Sequence, residues 1–467
     1  MDQLTAIVQA INSYLWGVTG LIPLLVGVGI FYTFKLKFVQ IRKFGQAMRF
    51  TFRGLSLHGE RAGKEGMTSF QSLATAVAAQ VGTGNIAGAA TAIAMGGPGA
   101  IFWMWIAAFF GMATIFAEAV LAQLFKTKDD KGHVTGGPAY YITNGLHCRP
   151  LAIFFSISII IALGFIGNMV QSNSIAVAFQ NAFGIPSLYT GLFVAGFAAF
   201  IFFGGLGRIA STTEKIVPVM AFLYILGSLI VILSNYEQII PAFKMIFVGA
   251  FNPQAATGGV IGATIKEAMR YGVARGLFSN EAGLGSTPHA HALANVKNPH
   301  EQGTVAIIGV FIDMFVILTL NALVIISTLY AGDGPLAGCG AAALSSTFNK
   351  TNLAQCAFGT VFGYKAGSMF VAICLFFFAF STILSWNLFG KINMVYLFGK
   401  KSANVYTLLA LIFIFLGTTM SNDLVWELSD MLNQLMVIPN AIALLALTSH
   451  VVKHSHTPDR LSGRENG

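Results

Sequence analysis

Of 467 residues, Lys, Arg, Asp and Glu make up only 10%, against about 25% in a soluble domain. Hydrophobic residues are 55% of the chain and the mean hydropathy is +0.72. This balance excludes a soluble enzyme, a nucleic-acid-binding protein and a disordered chain, so the net charge of +9 has to be explained by where the charges fall.

Residues 66–117 and 150–207 contain no Asp, Glu, Lys or Arg. A membrane-crossing helix needs about 20 mostly apolar residues, so each stretch must fold into more than one. Breaks at turn signals such as Gly96-Gly97-Pro98-Gly99 and Gly184-Ile185-Pro186-Ser187 give eleven spans. Their cores lie at 12–34, 68–94, 99–125, 150–180, 188–206, 215–234, 259–285, 303–330, 366–398, 403–420 and 425–450. Met1-Asp2-Gln3 lacks the basic start of a secretory leader, and the first stretch reads as a retained helix.

With eleven spans the termini face opposite sides, and the charges test this. Twenty-one of the 27 Lys and Arg, beginning with the cluster from Lys35 to Lys64, fall in segments on one side. Only Lys244, Lys350 and Lys365 fall on the other, while Lys266, Arg270 and Arg275 lie within the seventh span. The asymmetry places the N-terminus outside and the C-terminus in the cytoplasm. The basic residues are therefore topology determinants. Short loops and a basic inner face suit a plasma (inner) membrane protein of a prokaryote. Cys339 and Cys356 share one external loop, where they either pair or stay free.

Function in such a chain lies where a span is interrupted or polar. The second span reads Ala78-Ala79-Gln80-Val81-Gly82-Thr83-Gly84-Asn85, which is poor helix. Unwound backbone at mid-membrane frees carbonyls for Na⁺ and N–H groups for a carboxylate, although such glycines also serve close helix packing. In the fourth span Asn168, Gln171, Ser172 and Ile175 share one face; Gln171 suits either a pocket or an interhelical hydrogen bond. The seventh span is Gly-interrupted and charged from Glu267 to Gly285. If spans two to six and seven to eleven are two repeats, the interrupted spans correspond, which points to a transporter site. The other reading of Arg275 and Glu281 is a solvated network at a cytoplasmic re-entry. In the ninth span Ser381, Thr382, Ser385 and Trp386 form two i, i+4 pairs. These hydroxyls either ligate Na⁺ or bond their own helix carbonyls, and Trp386 is either pocket wall or core.

Glu118, Asp313 and Glu427 are candidate proton or ion sites, with Glu427 better suited to pairing a neighbouring helix. The nine His show no metal-site spacing. No nucleophile–base pair, nucleotide-binding loop or redox motif occurs, so no ATP-binding subunit, covalent cofactor or enzymatic activity is expected.

Gly96-Gly97-Pro98-Gly99-Ala100-Ile101-Phe102-Trp103-Met104-Trp105 resembles the signature of the alanine or glycine:cation symporter family (sodium:alanine symporters). Segments 81–87, 136–141, 167–176, 275–286 and 380–386 resemble the same family. The resemblance implies an all-α membrane protein of eleven helices with a leucine-transporter-type core. One N-terminal helix and a basic segment (1–66) precede two inverted five-helix repeats (67–235 and 236–452), and a cytoplasmic tail follows (453–467).

The resemblance also implies Na⁺-coupled uptake of alanine and glycine. Thr83 and Gly84 would offer N–H groups to the substrate carboxylate. Gln80, Asn85, Gln171, Phe278, Asn280, Thr382 and Trp386 would line the pocket. Na⁺ would sit between the carbonyls of Ala78 and Val81 and the hydroxyls of Ser381 and Thr382. The family commonly has Gly where Ser385 stands, aromatics where Asn387 and Leu388 stand, and Thr where Met314 stands, which bears on pocket size and substrate range. The alternatives are an H⁺-coupled permease using Asp313 or Glu118, a channel or receptor-like protein, and a membrane enzyme.

Overall fold

The computed structural model describes residues 2–15, 20–53, 66–129, 132–252, 264–337 and 352–455. Cys339, Arg61, Lys64, Lys131, Lys350, the start of the seventh predicted span and the end of the tail lie outside them.

Seven helical runs are long and apolar enough to cross a membrane: Ala100–Leu124, Arg149–Phe183, Gly205–Ser234, Pro299–Tyr330, Tyr364–Phe398, Ser402–Thr419 and Asn422–Ala446. Each overlaps a span expected from sequence, but Gly205–Ser234 takes in residues 207–214, which were expected to form a connection. The other four expected spans take different forms. The first divides into helices Asp2–Leu15 and Leu21–Lys35, the latter of 15 residues. The fifth is the 16-residue helix Ser187–Phe202. The second and seventh are interrupted. Among the helices that lie in connections which the span assignment left without helix are Ile239–Phe251 and Leu353–Phe362.

Burial sorts the helices into layers. Of these seven runs Tyr364–Phe398 is the most enclosed, whereas Gly205–Ser234 and Ser402–Thr419 are the least. The outer helices present Phe222, Leu233 and Leu408 to the surroundings, as a lipid-facing layer requires.

The two interrupted spans start alike. Ser69–Gln80 and Ile265–Asn280 are each capped by a Thr whose hydroxyl accepts the N3 backbone N–H, while the N3 side chain returns to the Thr N–H. The partners are Gln71 for Thr68 and Glu267 for Thr264. Each helix then stops inside the bundle.

Past the second stop, the short helix Pro288–Ala292 buries His289 and His291. The His289 ring stacks between Phe155 and Phe389, and its Nε2 lies 2.7 Å from Asn393 Nδ2. Burial lowers His289 to about 4 and His291 to about 3, so both are neutral at pH 7. Both fall below the free value of 6.5, so their stabilising contribution is complete above that pH and is lost as pH falls through the folded values. Thermal unfolding of detergent-solubilised protein should hold constant from pH 8 to 7 and drop steadily from 6.5 to 4, with His289→Gln flattening the drop. A wild-type midpoint that stays level down to pH 4 would show these imidazoles to be freely protonated in the fold.

Candidate functional site

Ser69–Gln80 ends at Val81, whose φ/ψ of −81°/79° takes the chain out of the helix. The chain resumes as a π-helical turn, Gly84–Gly88, and then as Ala89–Gly96. Single π turns inside helices often mark functional positions. Gly82 is required because another wall presses on it. A Cβ there would stand 2.5 Å from Thr382 Oγ1 and 3.2 Å from Gln171 Oε1. The sequence therefore unwinds where Thr382 and Gln171 close in.

Ile265–Asn280 ends at Glu281 in the left-handed region (φ 57°), followed by positive φ at Gly283 and Gly285. The backbone amides freed at this break point at Glu118. Its carboxylate accepts Gly283 N at 3.1 Å and Gly285 N at 3.0 Å. It also accepts Asn440 Nδ2 at 2.6 Å, while Asn440 donates to Gly283 O at 2.9 Å and accepts from the Tyr141 hydroxyl. Glu118 thus supplies the acceptors that a lost helical turn leaves wanting.

The two breaks meet. Gln80 Nε2 donates to Asn280 O at 2.9 Å, tying the end of one broken helix to the end of the other. Thr382 Oγ1 reaches Ala78 O at 2.7 Å and Phe378 O at 3.0 Å, and Ser385 Oγ donates to Thr75 O at 2.8 Å. Thr83 N donates to Gln171 Oε1 at 3.2 Å. Asn85 donates to Asp313 Oδ1 at 2.6 Å. Around this junction Gln80 Oε1, Thr83 Oγ1, Asn85 Oδ1 and Asn280 Nδ2 are buried without a hydrogen-bond partner in the protein.

Aromatic rings bound the junction. Phe278 lies edge-on to Trp386 at 6.3 Å and against Trp426 at 5.3 Å. The Trp386 indole donates to Glu281, which also accepts from the Ser286 hydroxyl. Trp426 is shared with a cavity lined by Thr91, Ser174, Asn422, Asp423 and Glu427. Between them Arg275 lies over the Trp426 ring at 5.0 Å and forks onto Asp430 at 2.6 and 2.9 Å.

The nine residues expected to form the pocket converge on one junction, except that Gly84 packs on Ser279 rather than opening to the rings. Of the expected cation ligands, Ala78 and Thr382 touch. Ser381 turns the other way: its hydroxyl donates to Phe378 O and lies 3.5 Å from the Met220 sulfur. On the fourth-span face, Gln171 reaches the break, whereas Asn168 and Ser172 bond their own helix. Glu427 accepts Asn12 Nδ2 at 2.7 Å, the neighbouring-helix pairing expected of it. Glu281 is buried at the break, which is not a solvated re-entry network.

The family model of the sodium:alanine symporter family matches residues 1–460. The chain belongs to this family. It is 42% identical over 455 residues to the sodium/alanine symporter AgcS of Methanococcus maripaludis, covering 96% of each chain. It is 40% identical to a Bacillus subtilis protein named "Probable sodium/glutamine symporter GlnT", covering 95% of this chain and 88% of that one. Among solved structures, MhsT in complex with L-phenylalanine superposes with a TM-score of 0.56 at 12% identity, over 86% of this chain and 94% of that one. That likeness shows the fold, of leucine-transporter type.

In this sodium:alanine symporter family member, sequence reasoning missed Asn440, Asp430 and Trp426. All three lie on Asn422–Ala446, where polar residues recur within an apolar run. An Asn followed by apolar residues carries no signal of its own that it faces a break far away in sequence.

Proposed function

We propose that this family member is a secondary active transporter that couples Na⁺ entry to uptake of small neutral amino acids, chiefly alanine and glycine. The observation that carries this reading is the meeting of two broken helices at Gln80 and Asn280, with unpaired polar atoms on Gln80, Thr83, Asn85 and Asn280. A buried polar group left unpaired costs about 1–3 kcal/mol. A zwitterion supplies both acceptor and donor groups to such a junction. Its carboxylate is assigned to the Thr83 and Gly84 amides. Gln171, which accepts the Thr83 N–H, would release it on binding. Phe278 and Trp386 limit the side chain to the size of a methyl group or hydrogen.

The coupling ion is assigned to the carbonyls of Ala78 and Val81 with the hydroxyls of Thr382 and Ser381. These are hard oxygen donors of the kind Na⁺ takes. The Thr382–Ala78 contact at 2.7 Å supports the assignment for Thr382, whereas Ser381, which faces Met220, takes part only if its helix turns. We further assign eleven spans, with the N-terminus outside and the C-terminus cytoplasmic in the plasma membrane. The repeats are 67–235 and 236–452, flanked by 1–66 and the tail 453–467. The matching capping boxes at Thr68 and Thr264 and the basic-residue asymmetry support this. One repeat rocking on the other then exposes the site alternately, with the Trp426 cavity as the outer approach.

Competition for labelled alanine uptake in proteoliposomes tests the substrate class. Glycine should compete and leucine should not, and accumulated alanine should exceed the outside concentration and stay chemically unchanged. Phe278→Ala should admit larger side chains, each accommodated methylene being worth about 1–3 kcal/mol, or roughly 10- to 200-fold in discrimination. Equal competition by leucine and alanine in the wild type would refute the assigned pocket walls, and mere equilibration would indicate a channel.

A further inference from the structure

The helix Pro138–Gly145 turns back through His147, at a φ of 54°, into the crossing helix that begins at Arg149. Cys148 N donates to Ile142 O at 3.3 Å and closes the turn. The last turns of Tyr364–Phe398 lie against this corner. Thr143 Oγ1 and the Tyr396 hydroxyl are 2.6 Å apart, and the Tyr140 ring stands edge-on to Tyr396 at 5.3 Å. Between these elements lies a cavity of about 240 Å³, lined by Thr143, Arg149, Ile153, Tyr396 and Leu397.

The cavity offers donors and no counter-charge. No carboxylate lines it, and no acidic side chain pairs with Arg149 among the described residues. The Thr143–Tyr396 bond uses one of the two hydroxyl protons, so the other is left to donate. A guanidinium fork beside a hydroxyl is the donor set that takes a phosphate. The wall then continues along the crossing helix as an apolar strip. Ile153, Ile157 and Ile161 follow Arg149 at four-residue steps, and all three are exposed. Steps of four keep side chains close to one helix face. The helix crosses the membrane from this end, so the strip faces acyl chains while Arg149 stands at the boundary.

We propose that this cavity binds the headgroup of an anionic phospholipid, with the phosphodiester on Arg149 and the Thr143–Tyr396 hydroxyls and an acyl chain along Ile153, Ile157 and Ile161. A soluble phosphate would use the donors but not the strip. A zwitterionic lipid brings an ammonium for which the cavity has no carboxylate. Basic pockets between crossing helices on the cytoplasmic side take anionic headgroups, and Arg149 belongs to the side on which 21 of the 27 Lys and Arg fall. The bound lipid spans the ends of two helices that also meet deeper, where Ser156 Oγ donates to Asn393 Oδ1 at 3.0 Å. The same two helices carry Gln171 and Thr382 to the junction, so occupancy of the cavity steadies the frame that holds the candidate site. The binding is independent of the Na⁺-coupled reading.

The test is the thermal midpoint of the purified, detergent-solubilised protein during titration with dioleoylphosphatidylglycerol, dioleoylphosphatidylcholine or soluble glycerol phosphate. The wild-type midpoint should rise saturably with phosphatidylglycerol alone. Arg149→Gln should raise the half-saturating lipid concentration roughly 10- to 150-fold, the contribution of a hydrogen bond to a charged group. Tyr396→Phe should raise it less, since the Thr143 hydroxyl remains. Arg149 is exposed, so its variant should melt with the wild type when no lipid is added. Lys37→Gln removes an exposed basic residue outside the cavity and should leave the titration unchanged. An equal response to both lipids, or an Arg149→Gln protein with the wild-type titration, overturns the site. A loss in Lys37→Gln as large as that in Arg149→Gln also overturns it, by making the attraction a diffuse property of the basic surface. A rise reproduced in full by glycerol phosphate overturns the lipid as occupant and puts a soluble phosphate in its place.

Discussion

Gly82→Ala should nearly abolish Na⁺-driven alanine uptake while leaving the protein folded. The new methyl carbon would lie 2.5 Å from Thr382 Oγ1, well inside contact distance, and 3.2 Å from Gln171 Oε1. Thr382 is the one that has to shift, since 2.5 Å is closer than any real contact, whereas Gln171 Oε1 need give only a few tenths of an ångström. Moving it breaks its 2.7 Å bond to Ala78 O and removes it from the proposed cation position. Overpacking of this kind costs about 1–3 kcal/mol. Carried by the cation site, that is roughly 5- to 150-fold in apparent Na⁺ affinity. The measurement is the Na⁺ concentration for half-maximal uptake, with size-exclusion elution as the folding control. An unchanged Na⁺ dependence would mean that Gly82 serves helix packing alone.

Glu118→Ala should fail at an earlier stage, in folding. The substitution strips the acceptor from Gly283 N, Gly285 N and Asn440 Nδ2 together. Each buried donor left unpaired costs about 1–3 kcal/mol, and no water inside a bilayer takes over the role. The sum approaches the whole stability of a typical domain, about 5–15 kcal/mol. Glu118→Gln keeps one acceptor oxygen but turns an N–H₂ toward the same donors, so it should be intermediate. Thermal melting of solubilised protein should place the Ala variant on the order of 5–10 °C below wild type, or yield none to melt. The Gln variant should fall between. A Glu118→Ala protein that melts with the wild type would show that the 281–287 break is held by other contacts.

These two residues mark what was legible in the sequence. Gly82 belonged to a recognisable pattern, because two glycines around a Thr in an apolar run leave few reasons other than unwinding or close approach. The break after Asn280 was similarly visible in the Gly283-Leu284-Gly285 run. Glu118 was visible only as an oddity. Its partners lie 165 and 167 residues away in the chain, and Asn440 lies 322 away. A helical pattern reports which face is buried but not what that face meets.

Ser381 and Thr382 show a second limit. Neighbours on a helix point about 100° apart. The face that meets Ala78 and Thr75 therefore carries Thr382 and Ser385, while Ser381 turns to Met220. The i, i+4 pairing fixed the periodicity and left the rotation open. Span ends were clear where charge and Gly-Pro turns coincide. The 15-residue helix Leu21–Lys35 and the helix Leu353–Phe362 were not, because both are too short for a membrane-length criterion.

The transport proposed above runs on Na⁺ through the junction of the two broken helices. Labelled alanine uptake into proteoliposomes under an imposed Na⁺ gradient, wild type beside Thr382→Ala, tests it most directly. Accumulation should require Na⁺ in the wild type and be lost, or shifted to far higher Na⁺, in the variant. Equal accumulation with Na⁺ or K⁺ outside, or a Thr382→Ala protein indistinguishable from wild type, would contradict it.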